Sequence, residues 1–84
     1  MSVLNRKVAL MMFIKHETLT LSDASKEENL GLTANGQHLG FLLRELEEGG
    51  FLQQLDGAKE RTYTITSKGI DEGKRLVEEE RIYS

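Results

Sequence analysis

Apolar residues early in the chain fall at Leu4, Val8 and Met11, and again at Leu10 and Ile14. This three- and four-residue spacing predicts a helix over residues 3–16. Met11-Met12-Phe13-Ile14 is apolar on nearly every side of that helix, which places it at the centre of the fold or against a partner. Thr18-Leu19-Thr20-Leu21 alternates, as a short strand over 18–21 would. Ser22 fits an N-cap and Asp23 suits the positive start of a short polar helix over 23–29, which Gly31 ends. Leu39, Leu42, Leu43 and Leu46 then share one face of a helix over 34–48, which Thr33 can cap. Gly49-Gly50 offers the left-handed stop that glycine adopts most cheaply.

Beyond the glycines the period changes from about 3.6 to about 2. Residues 51–55 and 61–65 read as two strands joined by a turn containing Asp56-Gly57, a strong hairpin signal. Arg61, Tyr63 and Ile65 share one strand face, Thr62 and Thr64 the other. Thr66 or Ser67 caps a last helix over 67–83 with Ile70, Gly73 and Val77 on its inner stripe. The expected core joins Leu39, Leu43, Leu46, Phe51, Tyr63 and Ile65 to Leu4, Val8 and Ile70. The pattern predicts one α+β, mostly helical domain spanning residues 1–84, with no internal repeat or linker.

Composition narrows the function classes. The chain has 84 residues, 38% hydrophobic and 30% charged, the balance of a folded domain. It has no Cys and two His, which argues against a disulfide scaffold, a thiolate zinc site and a His-rich metal centre. No cofactor or metal is expected. No apolar run approaches a membrane span. The first residues lack the layout of a signal peptide, so a cytoplasmic location is expected. The net charge of −3 is unlike a general nucleic-acid coat. The acids, however, crowd into residues 45–84, and none lies between Glu28 and Glu45. One face of an acidic chain can therefore still meet phosphate.

Three stretches carry a resemblance. Leu19-Thr20-Leu21-Ser22-Asp23-Ala24 looks like the entry to the second helix of winged helix-turn-helix domains. The stretch from Leu43 to Leu52 resembles the end of their recognition helix and the first wing strand. The stretch from Arg61 to Gly69 is similar to the second wing strand and final-helix cap of MarR- and PadR-like transcriptional regulators. The resemblance covers residues 3–77 and implies a homodimeric DNA-binding regulator. Its third helix would enter the major groove and its wing would touch the phosphate backbone. The implied DNA-binding residues are Thr33, Ala34, Asn35, Gln37, His38, Phe41 and Arg44, with Lys59 and Arg61 on the wing. Gln can read adenine bidentately, and His and Arg can meet phosphate or guanine. Surplus apolar surface at Leu10, Phe13, Ile82 and Tyr83 suggests the dimer interface.

Plainer readings stand beside these. Ser22, Thr33 and Ser67 are caps, not nucleophiles, and neither His16 nor His38 has the carboxylate spacing of a catalytic or metal pair. Gly36 and Gly40 suit close helix packing, because the Lys-Ser/Thr of a phosphate loop is missing. Arg61 can pair with Asp56 or Glu60 across the hairpin instead of with phosphate. Glu78-Glu79-Glu80 reads as a solvated face, and the ring of Tyr63 packs under the wing. No catalytic constellation is present, so an enzyme is not expected. The alternative function is a winged-helix module that binds protein through the Phe41 face.

Overall fold

The computed structural model describes residues 4–31 and 35–83, with side chains through Arg81. The chain runs α1 (Arg6–His16), β1 (Thr18–Thr20), α2 (Leu21–Ala24), α3 (Glu27–Leu30), α4 (Gly36–Glu48), β2 (Leu52–Gln54), β3 (Thr62–Ile65) and α5 (Ser67–Tyr83). The strands form one antiparallel sheet in the order β1-β3-β2, with Leu19 opposite Tyr63 and Leu52 opposite Ile65. No described helix is long and apolar enough to cross a membrane.

Local chemistry sets the boundaries, and several differ from those expected. Helix α1 starts at Arg6 and not at residue 3, because Asn5 is extended and its side-chain oxygen accepts the Val8 N–H at 2.9 Å. The helix expected over 23–29 is two short turns. Thr20, not Ser22, caps the first, its hydroxyl accepting the Asp23 N–H at 3.0 Å. That cap also ends the strand one residue early. Lys26 is extended and separates the turns, and the Asn29 side chain donates to the Asp23 carbonyl at 2.8 Å. Gly31 closes the second turn at φ 82°, as a glycine stop should. Ser22 instead donates its hydroxyl to the Glu60 carboxylate at 2.6 Å, tying α2 to the wing. The expected cap Thr33 lies outside the described residues. The cap of α4 is Asn35, whose side-chain oxygen accepts from Gln37 N–H at 2.8 Å and His38 N–H at 3.4 Å. The wing strands are shorter than 51–55 and 61–65. Phe51 leaves the ladder because its N–H donates to the Leu46 carbonyl and its own carbonyl accepts from Thr66.

The core is built on α1 and α4. Leu10, Phe13, Leu39, Leu43, Leu46, Leu52 and Tyr63 are each under 2% exposed. Leu4, Ala9, Met12, Leu19, Ala24, Leu30 and Leu42 complete it, with Val8, Phe51 and Ile65 packed at its edge. Thr62 is buried beside Tyr63, so strand β3 hides residues of both parities; it lies between two other strands. Ile70 is only half-buried. Leu10 and Phe13, expected on a dimer surface, are fully buried within the protomer. The reason is α5, which packs along α1. The side chains of Ile82 and Tyr83 lie outside the described set.

Two glycines and a row of ion pairs seat α5. A Cβ at Gly69 would fall on the Phe51 carbonyl oxygen, and one at Gly73 would come 2.6 Å from Ile14 Cδ1. Glu72 accepts from Arg6 of α1 at 2.6 Å and from Arg75 at 2.6 and 3.1 Å, and Lys7 pairs with Glu80. Arg75 first, then Arg6, holds the Glu72 carboxyl below its ordinary value, against the opposing effect of burial.

A depressed folded-state value means that the unfolded chain takes up the proton first. The stabilisation is therefore complete above the ordinary glutamate range of about 4.3 and fades as pH falls through the lower folded value. Glu72→Gln should flatten the loss of thermal stability as pH falls from about 5 to about 3. Melting curves with identical acid slopes for the two proteins would contradict this coupling.

Candidate nucleic-acid interface

At 100° per residue, burying Leu39, Leu42, Leu43 and Leu46 turns a definite set of α4 side chains outward. Gln37, Phe41, Arg44 and Glu48 fall in one line opposite the leucines, and all four are exposed. His38 and Glu45 flank that line on one side, Gly36 and Gly40 on the other. Phe41 is 63% exposed, the largest exposure among the large hydrophobic residues described. Arg44 lies 3.5 Å from Glu48, an exposed i,i+4 pair worth well under 1 kcal/mol. Its guanidinium can therefore exchange to another anion at little cost.

The expected site residues divide into three groups. Gln37, His38, Phe41 and Arg44 stand together on the free face of α4. Asn35 is exposed at the start of α4, but its side-chain oxygen is taken by the cap. Its oxygen is therefore engaged within the protomer, which leaves the side-chain NH2 as its group for an outside contact. Thr33 and Ala34 lie outside the described residues. Lys59 and Arg61 sit in the long wing connection between β2 and β3, which turns at Gly57 with φ 81°. Both are exposed, and neither makes an ion pair among the described residues, so the cross-hairpin pairing of Arg61 does not form. Glu60 between them is engaged by Ser22.

A second cationic feature lies behind α4. The Phe51 ring is covered by Arg6 at 5.1 Å and Lys68 at 4.9 Å from its centroid, and Lys68 donates to the Gly49 carbonyl at 2.7 Å. These cations are committed to the fold, as expected near the negative end of a helix. Sequence pattern did not reveal them, because Arg6 comes from α1 and Lys68 from α5 to meet the ring of Phe51.

Gly36 and Gly40 depart from expectation. A Cβ at either would meet nothing within 4 Å among the described residues, so they do not serve close packing against any of these. They leave one flank of α4 bare beside Gln37 and Phe41, where another molecule's backbone can approach closely.

No family model and no curated protein matches the sequence. Among solved structures, the chain is similar to a transcriptional regulator from Clostridium thermocellum, Cth-833. The TM-score is 0.78 at 23% identity, over 93% of this chain and 81% of that one. It is also similar to MepR, a transcription regulator of the Staphylococcus aureus multidrug efflux pump MepA. There the TM-score is 0.64 at 20% identity, over 92% of this chain and 57% of that one. At these identities the likeness establishes the architecture, which is the winged helix-turn-helix.

Because Gly40 touches nothing and lies inside a helix, Gly40→Ala should stabilise the domain by about 1 kcal/mol through helix propensity alone. In a domain this small that is a rise of about 4–8 °C in melting temperature. A calorimetric scan showing a lower melting temperature would mean that the flank is occupied within the protomer.

Proposed function

We propose that this chain is a DNA-binding transcriptional regulator acting as a homodimer, with α4 in the major groove and the wing on the phosphate backbone. One observation carries the reading. The face of α4 opposite its buried leucines is free, and from its start to Arg44 it carries Gln37, His38, Phe41 and Arg44 with no carboxylate among them. An α-helix fits the major groove, about 12 Å wide, and Gln and Arg are base- and phosphate-reading side chains. The uncommitted cations Lys59 and Arg61 supply backbone contacts on the wing. The two structural neighbours, both transcription regulators, support the same reading. The acids Glu45 and Glu48 come at the end of α4, where a helix leaving the groove moves away from phosphate.

Pairing of two protomers draws support from an apolar groove between α1 and α5, lined by Met11, Ile14 and Val77 and edged by Lys74 and Glu78. This groove replaces Leu10 and Phe13 as the proposed contact, together with the end of α5 that carries Ile82 and Tyr83. A two-fold pairing through it buries Met11, which is 39% exposed in the protomer. A second reading, a protein-binding module, is favoured by the exposure of Phe41, since aromatic anchors dominate protein interfaces.

Fluorescence anisotropy on a pool of random duplexes should show affinity falling steeply between about 50 and about 200 mM salt. Lys59→Ala and Arg61→Ala should each reduce the logarithmic salt slope by about 1, equally for all sequences. Gln37→Ala should cost discrimination at one base pair, roughly 1–3 kcal/mol, with the slope unchanged. An absence of salt-dependent duplex binding even at about 50 mM would end the DNA reading.

Sedimentation tests the dimer. At about 100 µM, ten times the dissociation constant of a weak contact near 10 µM, the wild type should sediment as a dimer and Met11→Glu as a monomer. A monomeric wild type would refute the pairing.

A further inference from the structure

We propose that Phe41 is a specificity residue that reads the C5-methyl group of thymine, and that with Gln37 it selects A·T base pairs. The inference rests on the DNA-binding reading and deepens it. Phe41 lies in the outward line of α4 between Gln37 and Arg44, and is the one apolar side chain there. It is 63% exposed, so the protomer uses little of its ring. Its neighbour Gly40 has open space where a Cβ would stand, so among the described residues that flank leaves the ring open to an incoming surface.

In the major groove of unmodified DNA one base edge offers an apolar group, the methyl of thymine. A phenyl ring entering the groove from the middle of the reading face therefore favours thymine over cytosine, whose exocyclic amine it would desolvate without a partner. Gln37 is one helical turn before Phe41, about 6 Å along the axis. Base pairs step by about 3.4 Å, so the two side chains fall on adjacent or next-adjacent pairs. Glutamine matches the N6 donor and N7 acceptor of adenine. Arg44, the guanine-reading candidate, pairs with Glu48 at the other end of the line. The acids begin at Glu45, beyond Gln37 and Phe41, so this half of the helix is the half that tolerates close phosphates.

The test uses random 24-base-pair duplex pools made with either thymine or uracil, which pair alike and differ in that methyl alone. Wild-type protein should enrich A·T pairs at two close positions in each half-site from the thymine pool. Rebuilt with uracil, the selected duplexes should bind about fourfold more weakly per half-site, the value of one buried methyl group (about 0.8 kcal/mol at 1.4 kcal/mol per tenfold). Phe41→Ala, at an exposed position that leaves the core intact, should bind both versions equally. Gln37→Ala should keep the thymine-to-uracil ratio and lose the adenine preference. Salt-dependent binding with equal affinity for the two versions would overturn the inference and leave the DNA reading standing. A ratio that survives Phe41→Ala would overturn it equally. Binding of neither pool at about 50 mM salt would remove both.

Discussion

Leu39, Leu43 and Leu46 of α4 share one core with Leu10 and Phe13 of α1, and all five are at most 1% exposed. Each such side chain contributes roughly 1.5–3 kcal/mol by leaving water, while a whole domain is stable by only about 5–15 kcal/mol. Turning α4 by one residue would expose a leucine and bury Glu45 or Glu47, a loss the domain has no margin to absorb. The rotation of α4 is thereby locked. The line of Gln37, Phe41, Arg44 and Glu48 on its free side is a consequence of that lock and needs no support of its own.

The same core has to be closed from the other side by α5, and close approach is what makes this possible. Gly69 lets the start of the helix sit on the Phe51 carbonyl, and Gly73 lets Ile14 and Leu10 reach its backbone. Between α1 and the sheet, Glu17 turns the chain at φ 65°, a left-handed conformation that costs a non-glycine residue of order 1–3 kcal/mol. Its carbonyl accepts from Ile65 N–H at 3.0 Å and from the Thr64 hydroxyl at 3.4 Å, which fixes the end of α1 to the central strand. Helix, sheet and closing helix are thus coupled through short backbone contacts as well as apolar burial.

Charge follows a division of labour. Arg6, Lys7, Lys68 and Arg75 are spent on the fold, against Glu72, Glu79, Glu80, the Phe51 ring and the end of α4. Lys59 and Arg61 are left uncommitted on the wing, and Arg44 is held weakly. A net charge of −3 therefore says little about the free face of α4, because half of the fourteen acids pair with cations along α5 or lie at the end of α4.

Repeating patterns and turn residues were legible from the chain alone because their causes are local. The leucine period of α4 defined its buried and free faces, and Gly31, Gly50 and Gly57 hold the positive φ angles their positions suggested. The order of elements, hence the winged-helix plan, followed from the change of period after Gly50. Which of several polar residues would cap each helix was not legible. Asn5, Thr20 and Asn35 do so where Ser22 and Thr33 were equally plausible, and Ser22 was drawn away by Glu60, 38 residues distant. The pattern also marked Leu10 and Phe13 as surplus surface. Only the folded chain shows them covered, because α5 arrives from 66 positions along the sequence at the Arg6–Glu72 pair. Periodicity reports how one element divides its own faces. Which face meets which, and which glycine is left open, depends on approaches between distant segments that no single stretch of sequence encodes.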